Sequence, residues 1–474
     1  MGSSTRSSGP GDLRVSEPRG ALLALASSAL VILGACGGAG EGRDGRPNVL
    51  VVYTDDQRFD SLSISGNPYI QTPHLDRIAT EGALFERAYV TTSRCCPGRA
   101  SFLTGKYATA HGVWGNHPEH DFMDEHRTIA DLLDETGYET AWLGKWHLPN
   151  PGAVPVRSFD HWVSYEGPGS HFDQAFNVDG KTVATAGFQA DRLTDLALEF
   201  LDRDRSGAPF FLVLAFKNPH VPMTPAPRHA GSLDGVAIAR PASAKDPFES
   251  LPAFVRRLQR GTRHAIDWDS WERNVRAYWE LCLSIDDNVG RVLDHLEASG
   301  ELDRTLVILT TDNGQLLGEH GVEQKGVAYE PSIRVPLAMR WPEGVPAGAR
   351  VGELALNVDL LPTILAAAGQ ASPADVHGRS LFEIFDNGAE PWRENFLYLL
   401  PNFGDGGMVE RALVGRRWKL VVDQADGFEE TWLYDLEGDP DERVNQADDP
   451  ANGERVRAMR EILETEDRKL RQGI

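Results

Sequence analysis

Cysteine is scarce in this chain: four residues in 474, at positions 36, 95, 96 and 282. That excludes a disulfide framework as the main source of stability. It also leaves no second cysteine pair to complete a zinc site with Cys95 and Cys96. Basic residues are outnumbered as well. Lys and Arg total 47 against 70 Asp and Glu, a formal net charge of −23, so no basic field is available to hold nucleic acid. An anionic ligand must therefore be met by a cationic pocket built locally. Long apolar runs are missing apart from residues 21–33, too few to span a bilayer comfortably as a helix. No internal repeat is visible. What is there is ordinary for a globular protein, 41% hydrophobic and 25% charged, in a chain long enough for one large domain and a smaller one.

The apolar run 21–33 follows a polar segment carrying three arginines and reads as the core of a signal peptide. It leads into Leu33-Gly34-Ala35-Cys36, which is similar to a bacterial lipobox. On that reading the chain is cut before Cys36, Cys36 carries lipid, and residues 38–46 form a flexible tether. The alternative is an ordinary signal peptide or N-terminal anchor in which Cys36 is incidental. Either way the protein is expected to be exported, to the bacterial periplasm or cell surface, and on the lipobox reading its membrane contact is only through the lipid on Cys36.

The chain is organised around residues 93–105, S-R-C-C-P-G-R-A-S-F-L-T-G. Pro97 suits the first turn of a helix, and Gly105 is a natural stop. Cys95 then lies at a helix N-terminus, where partial positive charge favours an anion, and Arg99 lies one turn along. Read without further context, the cysteine pair is equally a buried apolar pair, a metal-binding pair or a thiol nucleophile.

Residues 48–54 are a continuous apolar, β-branched run, the pattern of a strand buried on both faces of a parallel sheet, and it ends in Asp55-Asp56. Residues 305–311 repeat that pattern and end in Asp312-Asn313. Ligands in open α/β sheets bind beyond the carboxyl ends of strands. Two strands ending in hard oxygen donors predict a divalent cation, Ca²⁺ in preference to Mg²⁺. A third strand, 138–143, delivers Gly144-Lys145-Trp146-His147, where alternation would set Lys145 and His147 on one face. A fourth, 209–216, is followed by Lys217-Asn218-Pro219-His220. His111 reads either as a pocket residue or as part of a surface loop. Residues 149–187, rich in Gly, Pro and aromatics, read as a long loop whose 159–171 portion selects the substrate. Residues 223–270 read as an irregular insertion. Helices are expected at 73–81, 128–136, 191–204 and 271–299, the last enclosing a buried, inert Cys282. Beyond about residue 389, four short strands and a charged helix at 452–472 predict a small antiparallel sheet with one helix.

These motifs together resemble the type I sulfatases, from about Pro47 to near the end of the chain. Cys95-x-Pro97-x-Arg99 followed by an apolar pair and Thr104-Gly105 is similar to the signature of that family, and the spacing selects Cys95 over Cys96. One departure is Gly98, where the family carries Ser, Thr or Ala. The resemblance implies an alkaline-phosphatase-like α/β/α sandwich with a mostly parallel central sheet. It divides the chain into a leader and tether (1–46), a catalytic domain (47–388) and a C-terminal α+β subdomain (389–474). It also implies that a maturation enzyme converts Cys95 to formylglycine, whose hydrate is the nucleophile. The metal at Asp55, Asp56, Asp312 and Asn313 would also contact residue 95. Lys145 and Lys325 would hold the sulfate and Arg99 would add charge. His147 would act on the formylglycine hydroxyl, and His220 or Lys325 would protonate the leaving alcohol. The implied substrate is a sulfated small molecule or glycan. The rivals are a phosphonate or phosphodiester hydrolase of the same superfamily and a lipid-anchored glycan-binding protein without turnover.

Overall fold

The computed structural model describes residues 45–116, 122–148, 154–260, 266–386, 391–401, 409–425 and 428–472. The signal-peptide and lipobox readings, with Cys36, lie outside the described residues.

Strand β1, Asn48–Asp55, is buried along its whole length. Its side chains point alternately into two separate cores, as a two-residue period requires. Val49, Val51 and Tyr53 pack with Phe102, Leu133 and Ile364 on one side. Leu50 and Val52 pack with Leu75, Leu193 and Ile285 on the other. A strand can be apolar on every residue only when helices cover both faces of its sheet, so this one run already defines an α/β/α sandwich.

Around β1 the sheet contains β2 (Ala83–Tyr89), β3 (Glu139–Gly144), β4 (His161–Ser164), β5 (Phe176–Val178), β6 (Lys181–Val183), β7 (Phe210–Pro219) and β8 (Thr305–Thr311). A short hairpin, β9 (Leu316–Leu317) with β10 (Glu323–Gln324), stands apart from it. The sheet continues with β11 (Arg334–Val335), β12 (Ala338–Arg340) and β13 (Ala349–Leu356). The order is β11-β2-β12-β8-β1-β7-β3-β4-β5-β6, with β13 also on β2. β1 is parallel to both β7 and β8, and β3 is parallel to β7. β12 runs antiparallel to both β2 and β8, so β2 points the same way as β8. The carboxyl ends of β1, β2, β3, β7 and β8 therefore share one edge of the sheet.

The expected helices form at Pro73–Thr80, Cys95–Thr104, Ile129–Asp134, Gln189–Leu201 and Trp271–Ala298. Thr128 and Asp131 make a reciprocal capping box at the third of these. Cys282 is buried and unpaired in the long helix. The C-terminal sheet is β14 (Asn395–Pro401), β15 (Val409–Gly415), β16 (Trp418–Ala425) and β17 (Phe428–Asp435), antiparallel in that order. The helix Gly453–Gln472 follows it. No described helix is long and apolar enough to cross a membrane.

Three expectations are corrected. The 149–187 segment holds β4, β5 and β6, which extend the main sheet. Phe159 and Trp162 sit in an aromatic cluster with Trp142 and Trp146, at ring separations of 4.9–6.0 Å. The aromatic residues that made this stretch look like a pocket wall are core. Within 159–171 it is the far end, at His171, that reaches the site edge, where Nε2–H donates to the His220 carbonyl at 2.8 Å. The 223–270 insertion contains a helix, Ala253–Arg260, hidden in the sequence by flanking prolines and charge. His111 is neither exposed nor in the pocket. It is fully buried, with Nε2 3.0 Å from Ser101 Oγ and Nδ1 accepting from the Val113 amide at 3.1 Å.

Candidate active site

Cys95 opens a helix in which every residue from Cys95 to Thr104 is buried, and Gly105 ends it at φ 67°. The helix follows β2 and so starts at the shared edge, against the ends of β1 and β8. Gly98 makes that approach feasible, since a Cβ there would lie 2.3 Å from the Asp312 carbonyl oxygen. β3 stops at Gly144, whose φ of 117° and absent Cβ let it pass the Ala215 carbonyl. The strand alternation predicted for Lys145 and His147 therefore does not operate, and His147 itself has φ 57°. The turn nonetheless delivers Lys145 inward.

The predicted residues converge on Cys95 Sγ. Lys325 Nζ is 3.0 Å away, Lys145 Nζ 3.9 Å, and Asp55 Oδ1 3.8 Å. Lys145 also contacts Asp55, and Lys325 contacts Asp56. Burial raises the Asp55 carboxyl, but Lys145, His220, Arg99 and Lys325 outweigh it and hold the group well below the usual carboxylate range. Burial pushes the Cys95 thiol up to about 11 against the pull of Lys145 and Lys325, so the unmodified residue is a protonated thiol at neutral pH.

Arg99 lies where it adds positive charge, 3.8 Å from Asp55 Oδ1, and it also braces the site. Its guanidinium is wholly buried. It pairs with Asp312 at 2.9 Å, donates to the Lys145 carbonyl at 2.6 Å and lies over the Tyr53 ring. It braces β8 and the Lys145 turn around the helix start. His220 Nε2 lies 3.7 Å from Asp56 Oδ2, and burial lowers its pKa to about 3. His147 is lowered to about 2, first by burial and then by Lys145 and Arg99, and its Nδ1 is buried without a partner.

Asp55, Asp56, Cys95 and His220 offer ligand atoms that lie within 4.8 Å of one another. Asp312 donates less openly: one oxygen accepts from the Asp56 amide at 3.2 Å and the other faces Arg99. Asn313 Nδ2 donates to Asp56 Oδ1 at 2.6 Å, while its Oδ1 is buried without a partner. The oxygen donors and that orphaned amide oxygen fit a hard cation. His220 enters the candidate ligand set by geometry alone.

Sequence reasoning missed the groups that support this centre. Tyr278, from the helix Trp271–Ala298, donates to the Asp56 carbonyl at 2.7 Å and accepts from the Arg58 amide at 2.9 Å. Lys217 is buried within β7, donates to the Val221 carbonyl at 2.9 Å and lies 3.4 Å from His220 Nδ1. Burial lowers it to about 8. Lys217 stands in the Lys-Asn-Pro-His run, the one local signal that could have marked it. Nothing local marks Tyr278.

This fold and centre are those of a hydrolase of the alkaline-phosphatase-like superfamily. A sulfatase family model matches residues 47–370, and a model of the N-sulphoglucosamine sulphohydrolase C-terminal region matches residues 318–469. The chain belongs to the sulfatase family, and it is an enzyme that hydrolyses sulfate esters. It is 30% identical to an N-acetylglucosamine-6-O-sulfatase of Bacteroides thetaiotaomicron, over 95% of this chain and 90% of that one. It is 31% identical to the human N-acetylglucosamine-6-sulfatase, over 82% of this chain and 74% of the relative. Its fold superposes with a TM-score of 0.80 on a protein solved in complex with its substrate D-glucosamine-2-N,6-O-disulfate, at 29% identity, covering 90% of this chain and 98% of that one.

Proposed function

We propose that this sulfatase is exported and removes sulfate from O6 of glucosamine-type residues in a sulfated glycan. We further propose that Cys95 acts as formylglycine beside a Ca²⁺ ion held by Asp55, Asp56, Asp312 and Asn313. The observation that carries this reading is the convergence of Lys145, Lys325 and the Asp55–Asp56 pair on Cys95 Sγ. Residue 95 alone has Pro and Arg at the offsets the maturation signature needs. The name shared by relatives at 30–31% identity supports the sugar and the position. We also assign residues 1–46 to a leader and tether with lipid on Cys36, 47–388 to the catalytic domain and 389–474 to a C-terminal subdomain.

The formylglycine hydrate supplies the nucleophile, and the cation supplies positive charge at the attacked group. The chain does the rest. A sulfate ester brings negative charge into a protein of net charge −23, and Lys145 and Lys325 neutralise it from two sides. Their value rises as charge builds in the transition state. Arg99 keeps Lys145 in place through its carbonyl and holds Asp312 against the helix start. Lys325, kept charged in spite of burial by Asp56 and Cys95, gives its proton to the departing alcohol oxygen; His220, neutral here, is the alternative donor only after taking a proton from water at Nε2. His147, also neutral, accepts a proton from the residue-95 side at its unpartnered Nδ1.

Peptide mass spectrometry of protein made with the maturation enzyme tests the first half; an unmodified Cys95 in fully active protein would sink it. A panel of mono-sulfated glucosamines tests the second. The expected result is a strong preference for the 6-O-sulfate, and preferential cleavage of 2-O- or N-sulfate would reject the assignment.

A further inference from the structure

Lys325 reaches Cys95 from the segment 325–333. Main-chain bonds tie the far end of that segment to the main sheet, from the Gly314 amide to the Ser332 carbonyl and from the Val90 amide to the Ile333 carbonyl at 2.9 Å each, and the stretch nearer Lys325 is fastened by residues of the C-terminal region. The Ala328 amide donates to Glu410 of β15. The Ala328 carbonyl accepts from Lys419 Nζ of β16 at 2.7 Å. Lys419 also pairs with Glu330 and Glu442 at 2.8 Å each, and Glu442 accepts from the Glu330 amide at 2.6 Å. Glu330 in turn accepts from Tyr89 at 3.0 Å. A second line of bonds runs back to the nucleophile. Ser332 Oγ accepts from the Gly326 amide at 3.2 Å and donates to Ser93 Oγ at 2.9 Å, and Ser93 meets the Tyr398 hydroxyl of β14 at 2.7 Å. Lys419 is 0% exposed.

Burying one ammonium between two carboxylates is an expensive way to hold two elements together, because each charge loses its water and apolar contacts would do the same at less cost. What the cluster adds over apolar packing is direction. It fixes the Ala328 carbonyl, three residues from Lys325, while Glu410 holds the Ala328 amide beside it, and so fixes where the Lys325 ammonium can go. The pull of Asp56, which Lys325 contacts, would otherwise be free to draw that side chain off the nucleophile.

We propose that Lys419, with Glu330 and Glu442, is a positioning residue for the reaction: the C-terminal sheet sets the Lys325 ammonium against residue 95. The cluster acts through Lys325 and touches no reacting atom. Because a displacement of about 1 Å at a reacting centre can cost about a hundredfold in rate, loosening it should reduce kcat more than it raises KM. The proposal rests on the reading that Lys325 contacts the transferring sulfate.

The test is a double-mutant cycle on the full matured chain with an aryl sulfate. One side is the triple variant Glu330→Gln, Lys419→Met, Glu442→Gln, which removes the ammonium together with both carboxylates it pairs with. The other side is Lys325→Ala. The triple variant is expected to lose at least tenfold in kcat with KM changed less than threefold. In the Lys325→Ala background it should cost nothing further. Equal losses in both backgrounds, or no loss in either, would overturn the proposal. If Lys325→Ala itself leaves the rate unchanged, the sulfate-contact reading fails and the proposal with it. Thermal unfolding accompanies every variant. Should the triple variant not fold, Lys419→Arg, which keeps the charge and shifts the donors, is taken through the same cycle and judged by the same outcomes.

Discussion

At the scale of single residues, the site concentrates positive charge where the protein as a whole has none to spare. Lys145→Ala and Lys325→Ala are each expected to lower kcat/KM by about a hundredfold or more, the usual loss when one electrostatic contact to a transition state is removed. The loss should be similar on two unrelated sulfate esters; a lysine whose removal spares one of them would belong to substrate selection. A second residue-scale expectation concerns His111. Burial lowers it to about 3, from 6.5 in the unfolded chain, so between those values the unfolded state holds a proton that the folded state does not. Its contribution to stability is complete above about pH 6.5 and falls as the pH drops towards 3, by about 2 kcal/mol at pH 5. Denaturant titrations at pH 7 and pH 5 should show His111→Gln losing less stability on acidification than the parent. Equal losses would place the acid sensitivity elsewhere, His147 and His220 being shifted in the same direction.

At the scale of elements, the helix Cys95–Thr104 and the end of β8 touch through Gly98. A Cβ at 98 would meet the Asp312 carbonyl oxygen at 2.3 Å and its carbon at 3.2 Å. Backbone does not yield as a flexible side chain would. Gly98→Ala, although it restores a residue common in the family signature, should destabilise this chain by about 1–3 kcal/mol, the usual cost of overpacking. It should also weaken Ca²⁺ binding at the proposed metal site by displacing Asp312. Unfolding and Ca²⁺ titration of the variant check both, and no change in either would mean that the helix and strand separate without cost. The elements also explain which parts of the chain were legible. β1 and β8 were readable because strands buried on both faces are apolar throughout. The segment around β4 was misread because short strands joined by glycine turns look locally like a loop, and core tryptophans look like a binding wall.

At the scale of the whole molecule, a net charge of −23 opposes the approach of a sulfated substrate. Salt screens that long-range repulsion, with a Debye length of about 8 Å at physiological ionic strength, but barely affects contacts inside the pocket. The kcat/KM for a sulfated oligosaccharide should therefore rise as monovalent salt is increased from about 10 to about 150 mM at fixed Ca²⁺. A steady fall would mean that the pocket lysines govern the approach of substrate as well as its binding.

The sequence by itself determined the architecture, and it marked Cys95 and the identities of the charged groups that the fold gathers around it. Each of these leaves a local trace: a periodicity, a cap, or a donor type just past a strand. The partners that act across the fold were decided only by tertiary structure. Arg99 turned out to brace Asp312 and the Lys145 turn, His111 to be core, and His220 to stand among the metal-capable atoms. Tyr278 and Lys419 hold parts of the site from segments 222 and 91 residues distant from the backbone groups they bond. Such contacts have no sequence period, because they depend on which strand ends share an edge of the sheet and on which subdomain packs over them.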